Sequence, residues 1–284
     1  MSELILEKIF EKINLVPTFP KTAQRALELL RKDEVNYREL EDVVKKDPGI
    51  AANFLKLVNS AAFSLHQKVD SLLKAFMVLG VNQIKLLLIS SVTGQFFDKN
   101  LTGYGVSSED IWIHSIATGI TAEAISQVIK FPPEKQEALY MAALLHDLGK
   151  IVLDLYLKLE EKNLFKKENK YEDEDFLQIE WFVLGVDHGM VGGYLLKKWD
   201  FSEEISFAVR AHHDNSLMIQ NKTAAIVGLS NIIVNLLGYI GGWDAFYYKI
   251  PSNLLDIIGI TSTDLNILLP EIFKKILLLE RTLK

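Results

Sequence analysis

The 284-residue chain contains no cysteine. Disulfides and thiolate metal sites are therefore excluded, and any metal must rest on histidine and carboxylate ligands. The absence is compatible with a cytoplasmic setting. Positive charge is not in excess: 31 Lys and Arg stand against 37 Asp and Glu, a formal net charge of −6. That removes the electrostatic reason to expect nucleic acid or an anionic membrane as partner. No apolar run approaches the length of a membrane span. The opening residues, MSELILEKIFEKINLV, lack the basic start and unbroken apolar stretch of a signal peptide. Alternating strand patterns with hairpin turns are missing, and no repeat of fixed period appears.

What remains is an ordinary globular composition, 49% hydrophobic and 24% charged, with helical periodicity throughout. Helix starts are marked by their caps. Pro20 is expected in the first turn of a helix running to about Arg31. Asn36 and Glu39 have capping-box spacing ahead of YRELEDVVKK. Asp47-Pro48 reads as an N-cap followed by proline at the first helical position. Leu79-Gly80 breaks the chain before NQIKLLLISSVTGQFF. Ser107 and Asp110 cap IWIHSIATGITAEAISQVI, and Pro132-Pro133 opens EKQEALYMAALLHDL. Ser202 caps EEISFAVRAHH, and TAAIVGLSNIIVNLLG follows as a further helix. The charged stretch 158–175 reads as a solvated helix end and loop. The tail from Thr261 reads as one or two amphipathic helices with Pro270 between them. The fold class is all-α, a multi-helix bundle in two lobes, residues 1–105 and 106–284, with the seam in the Gly-, Asn- and Ser-containing stretch 98–108.

The segment LLHDLGK, residues 144–150, sets His146, Asp147 and Lys150 in an apolar run, where charge is costly unless paired or metal-bound. Five of the six histidines, His114, His146, His188, His212 and His213, fall in the second lobe; His66 reads as an exposed surface residue. Each has a plain structural reading. His114 alone would be a core histidine bonded to backbone. His188 after Asp187 fits helix-start chemistry, and His212-His213 fit the negative end of a helix dipole. For Asp147 the plain reading is a cap or an ion-pair partner. For Lys150 it is a stem on apolar surface with the ammonium in water. Together the residues suit a divalent metal, Fe, Mn, Zn or Ni, in a mono- or dinuclear site, provided that they converge on one pocket.

His114 and the His146-Asp147 pair resemble the HD superfamily of metal-dependent phosphohydrolases. His188 and His212-His213 resemble the added histidines of its HD-GYP branch, which hydrolyses cyclic di-GMP. In the first lobe LVPTFPKTAQRALELL, DPGIAANFLKLVNSAAF and AFMVLG resemble the HDOD family, over about residues 10–240. That resemblance implies an all-α bacterial signalling or regulatory module with a degenerate HD-like lobe. Two departures weigh against hydrolysis. The late aspartate of the HD pattern is matched by Asn231, which offers only a neutral oxygen. The Gly-Tyr-Pro loop of the HD-GYP branch is missing after His213.

The expected function is thus a cytoplasmic regulatory module that binds another signalling protein or a small phosphorylated ligand and retains a metal site. A homodimer is compatible with the apolar tail. The alternative is a metal-dependent phosphohydrolase acting on a cyclic nucleotide or dinucleotide, with Asp147 and Lys150 as its catalytic residues. A third reading is a structural adaptor without metal, its histidines serving as core contacts.

Overall fold

A computed structural model describes residues 9, 11, 13, 16, 18–32, 34–60, 68–97, 99–165, 176–246 and 251–283. Among these the chain is all-α, with fifteen α-helices and no strand; the one β-bridge pairs Leu101 with Val106. None of the described helices is long and apolar enough to cross a membrane. His66 and residues 166–175 of the charged stretch lie outside the described residues.

The chain divides into two compact units, one of Met1–Val16 with Lys99–Leu268 and one of Pro17–Asp98 with Leu269–Lys284.

In the smaller unit the capping signals act as expected. Helices α1 (Lys21–Leu29), α2 (Tyr37–Val44), α3 (Pro48–Val58), α4 (Leu72–Val78) and α5 (Val81–Phe96) follow in order. Pro20 is the N-cap of α1 rather than part of its first turn. The Asn36 side chain accepts from the amides of Arg38 and Glu39. Asp47 accepts from the Ile50 amide and from Gln95 Nε2, so one carboxylate both starts α3 and ties it to α5.

The larger unit carries α6 (Ser108–Val128), α7 (Pro133–Leu145), α8 (Lys150–Phe165), α9 (Phe176–Leu184), α10 (His188–Lys198), α11 (Glu203–Ala211), α12 (Asn215–Met218), α13 (Lys222–Leu236), the 3-10 turn Trp243–Phe246 and α14 (Leu254–Ile258). α6 packs on α7 and α13, and α10 packs on α11. Most of α6 is buried, so its hydroxyls need internal partners. Thr118 and Thr121 donate back to the carbonyls of His114 and Ala117.

One expectation fails here. The helix ending in HDL stops at Leu145, and residues 146–149 form a tight turn into α8. His146 and Asp147 therefore sit at a helix–helix corner, where two adjacent side chains can face one cavity. Of the one or two helices expected for the tail the structure has one, and Pro270 lies inside it, in α15 (Ser262–Leu283), rather than between two. Beyond it Ile272, Ile276, Leu279 and Leu283 are buried at helical spacing, which outweighs the one hydrogen bond a proline removes.

The corner at residues 146–149 depends on Gly149. A Cβ there would lie 1.9 Å from the His188 carbonyl oxygen and 2.8 Å from the Gly192 amide nitrogen. Both obstacles are backbone, so neither can swing aside. Gly149→Ala should destabilise the protein by about 3 kcal/mol or more, read as a shift in the urea midpoint. A change below about 0.5 kcal/mol would mean that α8 and α10 do not meet at this glycine.

Candidate metal centre

Five helices and one turn deliver the site. His114 comes from the middle of α6, His146 caps the C-terminus of α7, and Asp147 occupies the turn that follows. Lys150 opens α8. His188 is the first residue of α10, started by Asp187, whose carboxylate accepts from the Met190 amide. His212 caps the C-terminus of α11, with His213 next in the chain. All of these side chains are buried except that of His213, which is half-buried. The six histidine and aspartate side chains form two groups that share Asp147. One is His114, His146 and Asp147; the other is Asp147, His188, His212 and His213. Within each group a donor atom of every residue lies within 4.8 Å of the others.

The ring orientations follow from their outer partners. The Nδ1 of His114 is 2.7 Å from the Tyr239 carbonyl, that of His146 2.8 Å from Ala143, and that of His212 2.6 Å from Val209. A carbonyl only accepts, so each Nδ1 carries a proton, and each ring turns its Nε2 inward. His188 is held differently. Its Nδ1 lies 3.0 Å from both oxygens of Glu180, and its backbone amide donates to the same carboxylate at 2.8 Å. The Tyr104 hydroxyl donates to Glu180 from the other side. This is the arrangement in which a carboxylate fixes the tautomer and direction of a metal-ligating imidazole.

The inward atoms meet around Asp147. Its Oδ2 lies 3.5 Å from His114 Nε2, 3.4 Å from His146 Nε2 and 2.9 Å from Lys150 Nζ. Its Oδ1 faces His188 Nε2 at 3.4 Å. Asp147 Oδ1, His188 Nε2 and His212 Nε2 are all buried with no hydrogen-bond partner. Three orphaned donors in one group make a costly arrangement unless a cation joins them.

Charge follows the same geometry. Burial works against the Asp147 carboxylate, yet His146, Lys150 and His114 hold it well below the usual carboxylate range. Burial pushes His114 down to about 4. Burial, then the neighbouring imidazoles, push His212 and His213 well below the ordinary histidine value. Both effects work against the cationic imidazole that a helix end would favour. Burial opposes charge on His188 too, but Glu180 raises it to about 9.

Lys150 does not reach water. It is 1% exposed, and its ammonium donates to Asp147 Oδ2, to the Gly241 carbonyl and to Asp244. The surface reading of this lysine is thus corrected: two carboxylates hold its charge inside. Asn231 reaches the edge of the pocket. Its Oδ1 accepts from Asn235 Nδ2 at 2.8 Å and its Nδ2 lies 3.5 Å from His213 Nε2, so its oxygen is committed to Asn235.

Three contributors escaped the sequence reading. Glu180 had a visible signal, a lone carboxylate in the apolar run FLQIEWFVL. Tyr104 and Asp244 had none; they lie in a turn and in the short 3-10 segment Trp243–Phe246 and are brought in only by folding.

The sequence pattern of the HDOD domain matches residues 16–215. The chain shares its fold with an HDOD domain protein of unknown function from Geobacter sulfurreducens, at 22% identity and a TM-score of 0.74, covering 96% of this chain and 97% of that one. It also shares it with a protein from Shewanella amazonensis SB2B provisionally named a metal-dependent phosphohydrolase. That pair has 18% identity and a TM-score of 0.64, with 100% and 99% of the chains covered. An uncharacterised protein of Treponema pallidum is 21% identical over 261 residues, 89% of this chain and 48% of that protein. The chain therefore spans about half the length of that curated relative.

The Glu180–His188 contact carries a pH signature. The folded pKa of His188 lies above its ordinary value of 6.5, so its contribution to the metal-free fold is complete below about pH 6.5. It is lost as the pH climbs through about 9. Glu180→Gln removes the cause. In metal-free protein the variant should lose more stability relative to wild type at about pH 6 than at about pH 10, by an amount on the order of a few kcal/mol. Urea denaturation at both values reads this, and equal losses would separate Glu180 from the charge on His188.

Proposed function

The chain belongs to the HDOD domain family, and on that premise we propose that it is a regulatory module. It acts by binding another signalling protein or a small phosphorylated ligand, in a cytoplasmic setting. A divalent metal in the histidine pocket serves as a pin between helices. The observation that carries the metal is the trio of buried donors without partners: Asp147 Oδ1, His188 Nε2 and His212 Nε2. Imidazole with carboxylate oxygen suits Fe, Mn, Zn or Ni. The donors come from α10, α11 and the corner after α7, so a cation there ties together elements that α-helical hydrogen bonds do not connect.

The pin reading rests on how closed the pocket is. A Cβ on Gly241 would lie 2.7 Å from His114 Nε2 and 2.9 Å from Asp147 Oδ2. Backbone is thus laid against the His114 side of the group. A metal that binds the folded chain and not the unfolded one stabilises the fold.

The second reading, a metal-dependent phosphohydrolase of a cyclic nucleotide or dinucleotide, is favoured by one observation. Lys150 sits directly on Asp147 Oδ2, where an ammonium would offset charge on a phosphoryl oxygen. When bound, a metal in this pocket would supply a Lewis acid and an activated water. Of the chain's own residues, Glu180 would orient His188, and Lys150 would hold positive charge beside Asp147.

Protein purified without a polyhistidine tag should bind added Mn, Fe or Zn. At a hundredfold excess over Kd this should raise stability by about 2.7 kcal/mol, several degrees in Tm. Asp147→Ala should abolish that rise. Hydrolysis of a cyclic dinucleotide by the loaded protein should not exceed that of Asp147→Ala. Turnover lost in an Asp147→Ala variant that remains folded would replace the regulatory reading with the hydrolase. No metal-dependent change in Tm would leave the histidines as core contacts.

A further inference from the structure

The two donor groups around Asp147 are not equivalent. All three orphaned atoms of the pocket belong to the group of Asp147, His188, His212 and His213. In the other group His114 Nε2 and His146 Nε2 lie 3.2 Å apart, and the carboxylate oxygen they face already accepts from Lys150. The same group is walled by the Gly241 backbone.

Charge separates them further. Among the described residues the buried formal charges are three carboxylates, Asp147, Glu180 and Asp244, and one ammonium, Lys150. With imidazoles neutral, as metal ligation requires, three negative charges against one positive leave −2. One divalent cation cancels that; a second would leave the pocket as positive as it began negative. Uncompensated buried charge is strongly disfavoured. The ammonium of Lys150 lies 2.9 Å from Asp147 Oδ2 and 2.7 Å from Asp244 Oδ2, bridging two carboxylates as a cation would.

We infer that the pocket takes one divalent cation, in the group of Asp147, His188, His212 and His213, and that the Lys150 ammonium, braced by Asp244 and the Gly241 carbonyl, stands in place of a second. This rests on the metal reading above and deepens it. Asp244 has a defined part: it supplies the second carboxylate that keeps Lys150 charged and in place.

The test is a count. Untagged full-length protein is saturated with Mn2+ alone, freed of excess by gel filtration, and its metal content per chain is measured by elemental analysis. One per chain is expected. Two overturns the inference while leaving the metal reading intact; none overturns the metal reading itself. Position is tested by single replacements. His212→Ala should lose the cation, and His114→Ala should keep it with an affinity changed less than tenfold; the reverse pattern refutes the placement. Lys150→Met leaves Asp147 Oδ2 and Asp244 without their shared cation, so it should unfold at a lower urea concentration than wild type or fail to fold, and a folded variant with an unchanged urea midpoint refutes the stand-in role. Where that variant fails to fold, Lys150→Met/Asp244→Asn removes one charge of each sign. It should fold and bind one, and a count of two there refutes the charge balance.

Discussion

The carboxylate of Asp147 lies where water does not reach, and its two oxygens are met in different ways. Oδ2 accepts from Lys150 beside His114 and His146, while Oδ1 faces His188 with no hydrogen-bond donor. A buried carboxylate needs positive charge nearby, and most of the larger unit's polar interior can be read as the answer to that need. Lys150 is inside because Asp147 is, and Asp244 is inside because Lys150 is. The Nδ1 atoms of His114, His146 and His212 turn outward to backbone carbonyls so that their Nε2 atoms can turn inward.

This gives the helix packing a chemical purpose. Gly149 lets the start of α8 run against the start of α10, and that approach sets His188 across from Asp147. Glu180 then locks the ring from behind, itself held by the Tyr104 hydroxyl. The result is a pre-organised donor set, and the outer partners Ala143, Glu180 and Val209 are buried with it. On one side of it Gly241 lies against His114 and Asp147.

Much of this was legible from residue order. Asn36, Asp47, Ser107, Ser202 and Pro133 all mark helix starts, because a cap is a local interaction between a side chain and amides two or three residues on. The histidines stood out because imidazole is uncommon in apolar helices. The corner after Leu145 was not legible, since LLHDLGK keeps helical periodicity while the close approach of α10 decides where the helix stops. Pro270 left one helix or two open for the converse reason: a local breaker yields when the apolar face beyond it is buried.

By itself the sequence determined the all-helical class, the helix starts and the inventory of donors, because periodicity, caps and residue chemistry are properties of short segments. Only the tertiary structure decided that His114, His146, His188, His212 and His213 share one carboxylate, and that Lys150 faces inward to Asp244. It alone set Glu180 behind His188. Those are contacts between residues tens of positions apart, and their distances depend on helix packing that no local pattern encodes.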